Sequence, residues 1–398
     1  MSWKVKDIMS QRVDFVLRLN QGERMSDLCR EFGISRKTGY KFSHRYHQLG
    51  VGGLFDQSKR PMHSPKRTPP EIVEMVVAMR QRYPTWGPKK LHWKLEKEIE
   101  GVSIPAPSTI ALILKHKDLV RPRKRKRRAT PSPLPLSTSQ APNDIWSIDF
   151  KGHFRLGNQR YCYPLTICDH FSRYLLGCEA LESTKRHGTV MVLEALFKSY
   201  GLPTTMRSDN GAPFASSGLL GLTQLGVYLM RLGIALERIE PGHPEQNGRH
   251  ERMHLTLKQE ATRPASANCL AQQERFDAFV EEYNQERPHE ALGMIPPAEH
   301  YQASKRPYPQ NIKPLEYPLH DIVQNIYADG SMYFPPLKKR LYISTALVGQ
   351  TIGLRELEKE TWQVDFMQTN LGYIDLKTSR LWALETEEKT TSSHEENL

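Results

Sequence analysis

The sequence predicts a multidomain protein built around a mixed α/β core, with all-α segments before it and an all-β segment after it. Three observations carry this. Residues 11–119 hold apolar residues at helical spacing, punctuated by Gly and Pro. Between residues 144 and 262, short alternating segments interleave with longer helical ones. Residues 320–378 switch to short strands separated by Asp-Gly and Gly turns. A length of 398 residues accommodates two to four domains.

The net charge is +12 and the isoelectric point about 9.3, which favours a polyanionic partner such as nucleic acid. The five cysteines form no C-x-x-C pair, so neither a disulfide framework nor a zinc knuckle is expected. No run of 18 apolar residues predicts a membrane span. The start, Met1 to Lys6, lacks the apolar stretch of a signal peptide.

The all-α part is expected as two helix-turn-helix domains, at 1–65 and 66–120. In the first, a helix over Arg12–Asn20 precedes one that Ser26 can cap. Gly33 then turns the chain, and Ser35 can cap a helix bearing Arg36, Lys37, Tyr40 and Lys41. A helix fits the DNA major groove and presents its first turn to base edges. Arg36, Lys37 and Lys41 are therefore candidate DNA contacts, against the plainer reading of a solvated basic face. In the second domain, helices over Glu71–Tyr83, Lys89–Ile99 and from Pro107 to Lys117 surround Pro84, Trp86, Gly87 and Pro88. Residues 121–142 are a basic, Pro-rich linker. Arg123, Lys124, Arg125 and Lys126 stand in its basic run and are expected to neutralise phosphates without reading sequence.

In the core, at 143–303 with its helical extension, strands are expected over Ile145–Phe154, Tyr161–Cys168, Tyr174–Ala180, Thr204–Ser208 and Ile234–Ile239. Helices are expected over Thr189–Tyr200, Leu219–Arg231 and from Arg249 onward. The order βββαβαβα is that of the ribonuclease H-like fold, a mixed five-stranded sheet with flanking helices. The following strands, at 310–384, suggest a small β-barrel, and 385–398 a disordered polar tail.

Three acidic residues stand at marked places in this order. Asp149 lies inside a β-rich segment, where a lone Asp is disfavoured. Asp209 ends a strand in Ser208-Asp209-Asn210-Gly211, although that tetrapeptide also suits an ordinary turn. Glu251 sits in the first turn of a helix that follows a Pro-rich approach, with Lys258 two turns later on the same face. In this topology the three meet at one sheet edge. Three close carboxylates cannot all ionise without cations between them. Two Mg²⁺ or Mn²⁺ ions about 3.5–4 Å apart would solve that and catalyse phosphodiester cleavage. Asp169 is a rival acid, read instead as a cap or a partner of Arg173. His250-Glu251 is not read as part of a zinc-binding helix.

These residues resemble the DDE integrase core shared by retroviral integrases and bacterial insertion-sequence transposases. The resemblance rests on Trp146 with Asp149, Ser208 to Gly211, and Pro244 through Asn247-Gly248 to Glu251 with Lys258. It extends to Asp169 through Tyr174, and to Tyr283-Asn284 with Arg287-Pro288-His289. Phe32 to Lys41 and Tyr83 to Leu91 resemble the helix-turn-helix segments of bacterial members, so the likeness spans residues 10–303. It implies catalytic, metal-holding roles for Asp149, Asp209 and Glu251 and a DNA contact for Lys258. The 41 residues between Asp209 and Glu251 exceed the family's usual spacing, which would select Glu245. Glu251 is preferred for its Asn-Gly-x-x-Glu context.

The expected function is that of a transposase: metal-dependent cleavage at the ends of an insertion element and strand transfer into target DNA. The alternatives are a DNA-binding regulator with a silent core and a plain ribonuclease H-type nuclease. The resemblance implies double-stranded DNA at element ends and target as partner, a homo-multimer on paired ends, and a bacterial cytoplasmic, nucleoid-associated location.

Overall fold

The computed structural model describes residues 7–58, 67–120, 136–240, 243–358 and 360–384. The chain divides into two compact units, Met1–Thr68 and Pro69–Leu398. The basic run with Arg123, Lys124, Arg125 and Lys126 lies outside the described residues, as does the tail 385–398.

The first unit is three helices, α1 (Ile8–Asn20), α2 (Met25–Glu31) and α3 (Arg36–Leu49). They close over Phe15, Val16, Leu28, Cys29, Phe42 and Leu54. Ser35 caps α3, its Oγ accepting from the Thr38 N–H at 3.2 Å. Ser26 does not cap α2; Arg24 holds that position without a side-chain bond, and Ser26 lies inside the helix. At Gly39 an added Cβ would lie 2.7 Å from Met25 Sδ and 2.8 Å from Cys29 Sγ, so glycine sets how closely α3 approaches α2.

The second unit begins with α4 (Pro70–Arg82), α5 (Pro88–Glu98) and α6 (Pro107–His116), each with Pro in its first turn. Tyr83 and Trp86 stack at 4.1 Å between α4 and α5, within a core that includes Val76, Leu91, Leu95, Ile110 and Leu114.

The central sheet is formed by β1 (Ile145–Phe150), β2 (Phe154–Arg155), β3 (Tyr161–Asp169), β4 (Leu175–Leu181), β5 (Thr205–Ser208) and β6 (Ala235–Arg238). β1 lies between antiparallel β3 and parallel β5; β6 continues on β5 and β4 on β3. The strand expected over Ile145–Phe154 is interrupted where Gly152 takes φ 83°, and the chain resumes as β2 against the start of β3. Helices α7 (Arg186–Tyr200) and α8 (Gln224–Arg231) cover one face, packing on Trp146, Ile148, Leu165 and Ile167. Helices α9 (Gly248–Glu260) and α10 (Cys269–Glu281) cover the other, with Met253, Leu257, Phe276 and Phe279 on Cys162, Cys168 and Cys178. The expected helix over Leu219–Arg231 is shorter: Leu220 takes φ 49° in a 3₁₀ turn, and Thr223 caps α8 afresh.

After α10 come β7 (Ile322–Asn325), β8 (Ser331–Phe334), β9 (Lys339–Tyr342), β10 (Thr351–Glu358), β11 (Thr361–Phe366), β12 (Thr369–Asp375) and β13 (Arg380–Ala383). They do not close into the expected barrel. The five-stranded sheet is open, running β13-β12-β11-β10-β7, and β8–β9 is a separate hairpin. Phe334 of the hairpin meets Trp362 of the sheet edge-on at 5.6 Å, so side-chain packing joins the two layers.

Asp169 secures the β3–β4 turn, and among the described residues it makes no hydrogen bond or ion pair with Arg173. It is 1% exposed; its Oδ1 accepts from the Asn143 N–H at 2.8 Å, and its Oδ2 from the Ser172 N–H and Oγ–H at 2.7 and 2.6 Å. Asp169→Ala strands these donors and should cost about 3 kcal/mol. A fall in the urea midpoint is expected; an unchanged midpoint would contradict the capping role.

Candidate active site

β1 sends Trp146 and Ile148 to the α7 face and Ser147 and Asp149 to the α9 face. Its parallel neighbour β5 pairs in register, Ile148 opposite Ser208. Asp149 and Asp209 therefore follow at the same height on adjacent strands. Arg207 anchors this end of the sheet: its buried guanidinium donates to Glu237 Oε2 at 2.6 Å and to the Ser137 carbonyl at 2.7 Å. Beyond β5, the Gly211 N–H donates to Asp209 Oδ1 at 3.0 Å. An added Cβ on Gly211 would lie 3.1 Å from Asp209 Oδ2, so glycine keeps the turn from crowding the carboxylate.

Helix α9 brings the third acid. His250 and His254, one turn apart, are 1% and 5% exposed and face the sheet. Ser147 Oγ lies 2.7 Å from His250 Nδ1, while Thr166 Oγ1 lies 2.7 Å from both His250 Nε2 and His254 Nε2. Thr166 in turn donates to the Asp149 carbonyl at 3.0 Å. With that hydrogen spent, Thr166 Oγ1 accepts from both imidazoles, His250 Nδ1 accepts from Ser147, and His254 Nδ1 is left as a lone pair. That lone pair stands 3.6 Å from Asp149 Oδ2. Glu251, next to His250, turns outward at the helix edge and is exposed, as is Lys258.

Burial, the Asp209 carboxylate and, more weakly, the Glu251 carboxylate push the Asp149 carboxyl up to about 7. Asp209 and Glu251 thus both act on Asp149 through space. Burial holds both histidines neutral, His250 down to about 3 and His254 lower still. A protonated Asp149 completes the network by facing the His254 lone pair. A divalent cation would relieve the same strain by replacing that proton, so the donor set fits a hard, oxygen-seeking ion.

His254 stands one helical turn after His250. The run His250-Glu251-Arg252-Met253-His254 has the H-E-x-x-H spacing of a zinc helix, and Asp149, His250 and His254 offer donor atoms within 4.8 Å of one another. The hydrogen bonds argue against a zinc centre. Three of the four ring nitrogens are engaged by Ser147 and Thr166, under the helix instead of facing open space. The spacing marks a docking face, and Ser147 and Thr166 were invisible as its partners because they lie on other strands.

Glu245 sits in the 3₁₀ turn Pro244–Asn247, where its Oε1 lies 2.8 Å from His243 Nδ1. Arg36, Lys37 and Lys41 are exposed on α3 in the first unit.

Comparison with known proteins agrees with this architecture. The integrase core domain matches residues 139–244 and, in a second form, 232–297. A helix-turn-helix domain matches 11–62 and a homeodomain-like domain 38–114. A 39.2 kDa protein of insertion element IS476 from Xanthomonas euvesicatoria is 30% identical over 246 residues, covering 60% of this chain and 67% of that protein. A 31.7 kDa protein of insertion element IS407 from Burkholderia multivorans is 25% identical over 288 residues, covering 71% and 91%. The HTLV-2 integrase catalytic core in complex with magnesium superposes with a TM-score of 0.33 at 16% identity, covering 42% of this chain and 100% of that one. Among the described residues no helix is long and apolar enough to cross a membrane. With helix-turn-helix segments ahead of an integrase core, and with insertion-element proteins as its relatives, the chain belongs to the integrase-core family.

Proposed function

We propose that this protein is a transposase that cuts DNA at the ends of an insertion element and joins the freed 3′ ends to target DNA, using divalent metal ions. The observation that carries the reading is the in-register placement of Asp149 beside Asp209, with Glu251 near enough to act on the same carboxyl. In this reading Asp149, Asp209 and Glu251 would together hold the ions, with Asp149 shared between them. Two Mg²⁺ or Mn²⁺ ions, when bound, would stabilise the attacking and departing oxygens of an in-line displacement.

The chain's own residues supply orientation and charge. His254 and Thr166 fix Asp149 from behind, and Arg207 fixes the strand that ends at Asp209. Lys258, two turns from Glu251 and exposed, is proposed to meet a DNA phosphate near the cut. Arg36, Lys37 and Lys41 are proposed to contact element ends, and Arg123 to Lys126 to neutralise phosphates. Double-stranded DNA at element ends and target is the proposed partner, with the protein assembled as a homo-multimer on paired ends.

Asp149→Asn, Asp209→Asn and Glu251→Gln should each reduce Mg²⁺-dependent strand transfer by roughly 10²–10³-fold or more, while gel-shift affinity for element ends stays within about twofold. Wild-type protein that binds ends but yields no product would favour the regulator. Loss in Glu245→Gln with full activity in Glu251→Gln would move the third ligand.

A stability effect follows from Asp149. Its carboxyl, ordinarily near 3.8, is pushed up to about 7, so the native state holds a proton that the unfolded chain has released. Without metal, stability should fall as pH rises from about 4 to 7 and level off above. Asp149→Asn removes that penalty. In EDTA its stability should match wild type near pH 4 and exceed it at pH 8 by on the order of 4 kcal/mol, with Tm moving in the same direction. Mg²⁺ should raise the wild-type Tm and leave the variant's unchanged; equal responses would contradict the assignment.

A further inference from the structure

A second site lies on the same helix, apart from the carboxylates. A cavity of about 880 Å³ opens between the N-terminus of α5, the turn after β3, helix α9 and the segment after α10. Neither Asp149, Asp209 nor Glu251 lines it. Its wall carries six cations, Lys89, Lys90, Arg173, Arg249, Arg252 and Arg287, against two carboxylates, Asp169 and Glu290.

The two carboxylates do not balance the six. Asp169 is consumed by the Asn143 and Ser172 donors. Glu290 pairs with Lys89, and Arg287 pairs with Glu260 outside the cavity wall. Arg249 donates, among the described residues, only to the His170 carbonyl, at 2.8 Å. Among the described residues, Lys90 and Arg173 have no hydrogen-bond or ion-pair partner, although both are partly buried.

Four buried nitrogens in the wall are also unpartnered: His170 Nδ1, Arg173 Nε, Arg287 Nε and His289 Nε2. Arg287 is 4% exposed and His170 8%, so bulk water does not serve them. The local field reports the same deficit. Burial and neighbouring cations, Arg287 foremost, bring the Lys90 ammonium down to about 7. Burial and the surrounding arginines bring His170 down to about 3, and burial with Lys90 and Arg287 does the same to His289. Such a concentration of desolvated donors costs stability unless an anion with several acceptor oxygens joins it.

We infer that this cavity binds a phosphate group, held by Lys90 and Arg173 with Arg249 and Arg252 at its mouth. A DNA backbone phosphate and free inorganic phosphate share this chemistry. The inference stands independently of cleavage at the carboxylates.

The test uses the full chain, with sodium phosphate compared against sodium chloride at equal ionic strength by calorimetry and thermal melting. Phosphate should bind and raise Tm, and Lys90→Gln and Arg173→Gln should each weaken binding about tenfold or more. Lys90→Gln should also melt higher than wild type without phosphate, since it relieves repulsion; a merely structural lysine would melt lower on replacement. If the backbone is the source, a duplex oligonucleotide displaces phosphate, and the salt slope of duplex binding drops by about 0.9 in Lys90→Gln. If free phosphate is the source, duplex and phosphate bind together and the slope holds. Phosphate that stabilises no more than chloride, or two well-folded variants that bind it like wild type, would overturn the inference.

Discussion

The repulsion between Asp149 and Asp209 is the constraint around which the core is arranged. Parallel pairing of β1 with β5 in register leaves both carboxyls at one strand end, and burial of Asp149 removes water that would screen its charge. A protein selected for stability alone would have no use for such a pair. Here the sheet is held firmly enough to tolerate it. Arg207 and Glu237 face each other across β5 and β6, and Trp146 and Ile148 lock β1 against α7 and α8.

Helix α9 serves two sites with its different sides. Its inner stripe, His250 with Met253, His254 and Leu257, docks on the sheet through hydrogen bonds and apolar packing. Glu251 stands exposed at one edge of that stripe and acts on Asp149 through space, while Arg249, Arg252 and Thr256 line the cationic cavity together with His250 and Met253. The buried imidazoles therefore set the rotation of the helix, and with it the position of every charged residue it carries. Neutral histidines suit that task, because they offer both a donor and an acceptor without adding charge.

Much of this was legible in the sequence because local signals agreed. Alternation over Ile145–Phe150, helical spacing in Arg186–Tyr200 and the Pro- and Gly-bounded start of α9 each arise from one element's own residues. What the sequence concealed were relations between elements. His254 was visible, but its partner Thr166 comes from a different strand. The C-terminal strands were readable one by one, yet closure of a barrel depends on pairing between the first and last, which β7 and β13 do not make. The capping error at Ser26 has a similar origin: the serine is two residues past Arg24, where the chain enters the helix, and nothing local excluded the later start. The cationic cavity was equally hidden, since Lys90, Arg173 and Arg249 meet only after the sheet and helices assemble.

Divalent ions held by Asp149 and its two acidic neighbours are what the proposed chemistry requires. Crystals of the full chain soaked in Mn²⁺ and measured at its absorption edge would test this directly. Anomalous peaks are expected within coordination distance of Asp149, shared with Asp209 and with Glu251. Peaks confined to His250 and His254, or none near Asp149 at saturating Mn²⁺, would contradict this assignment.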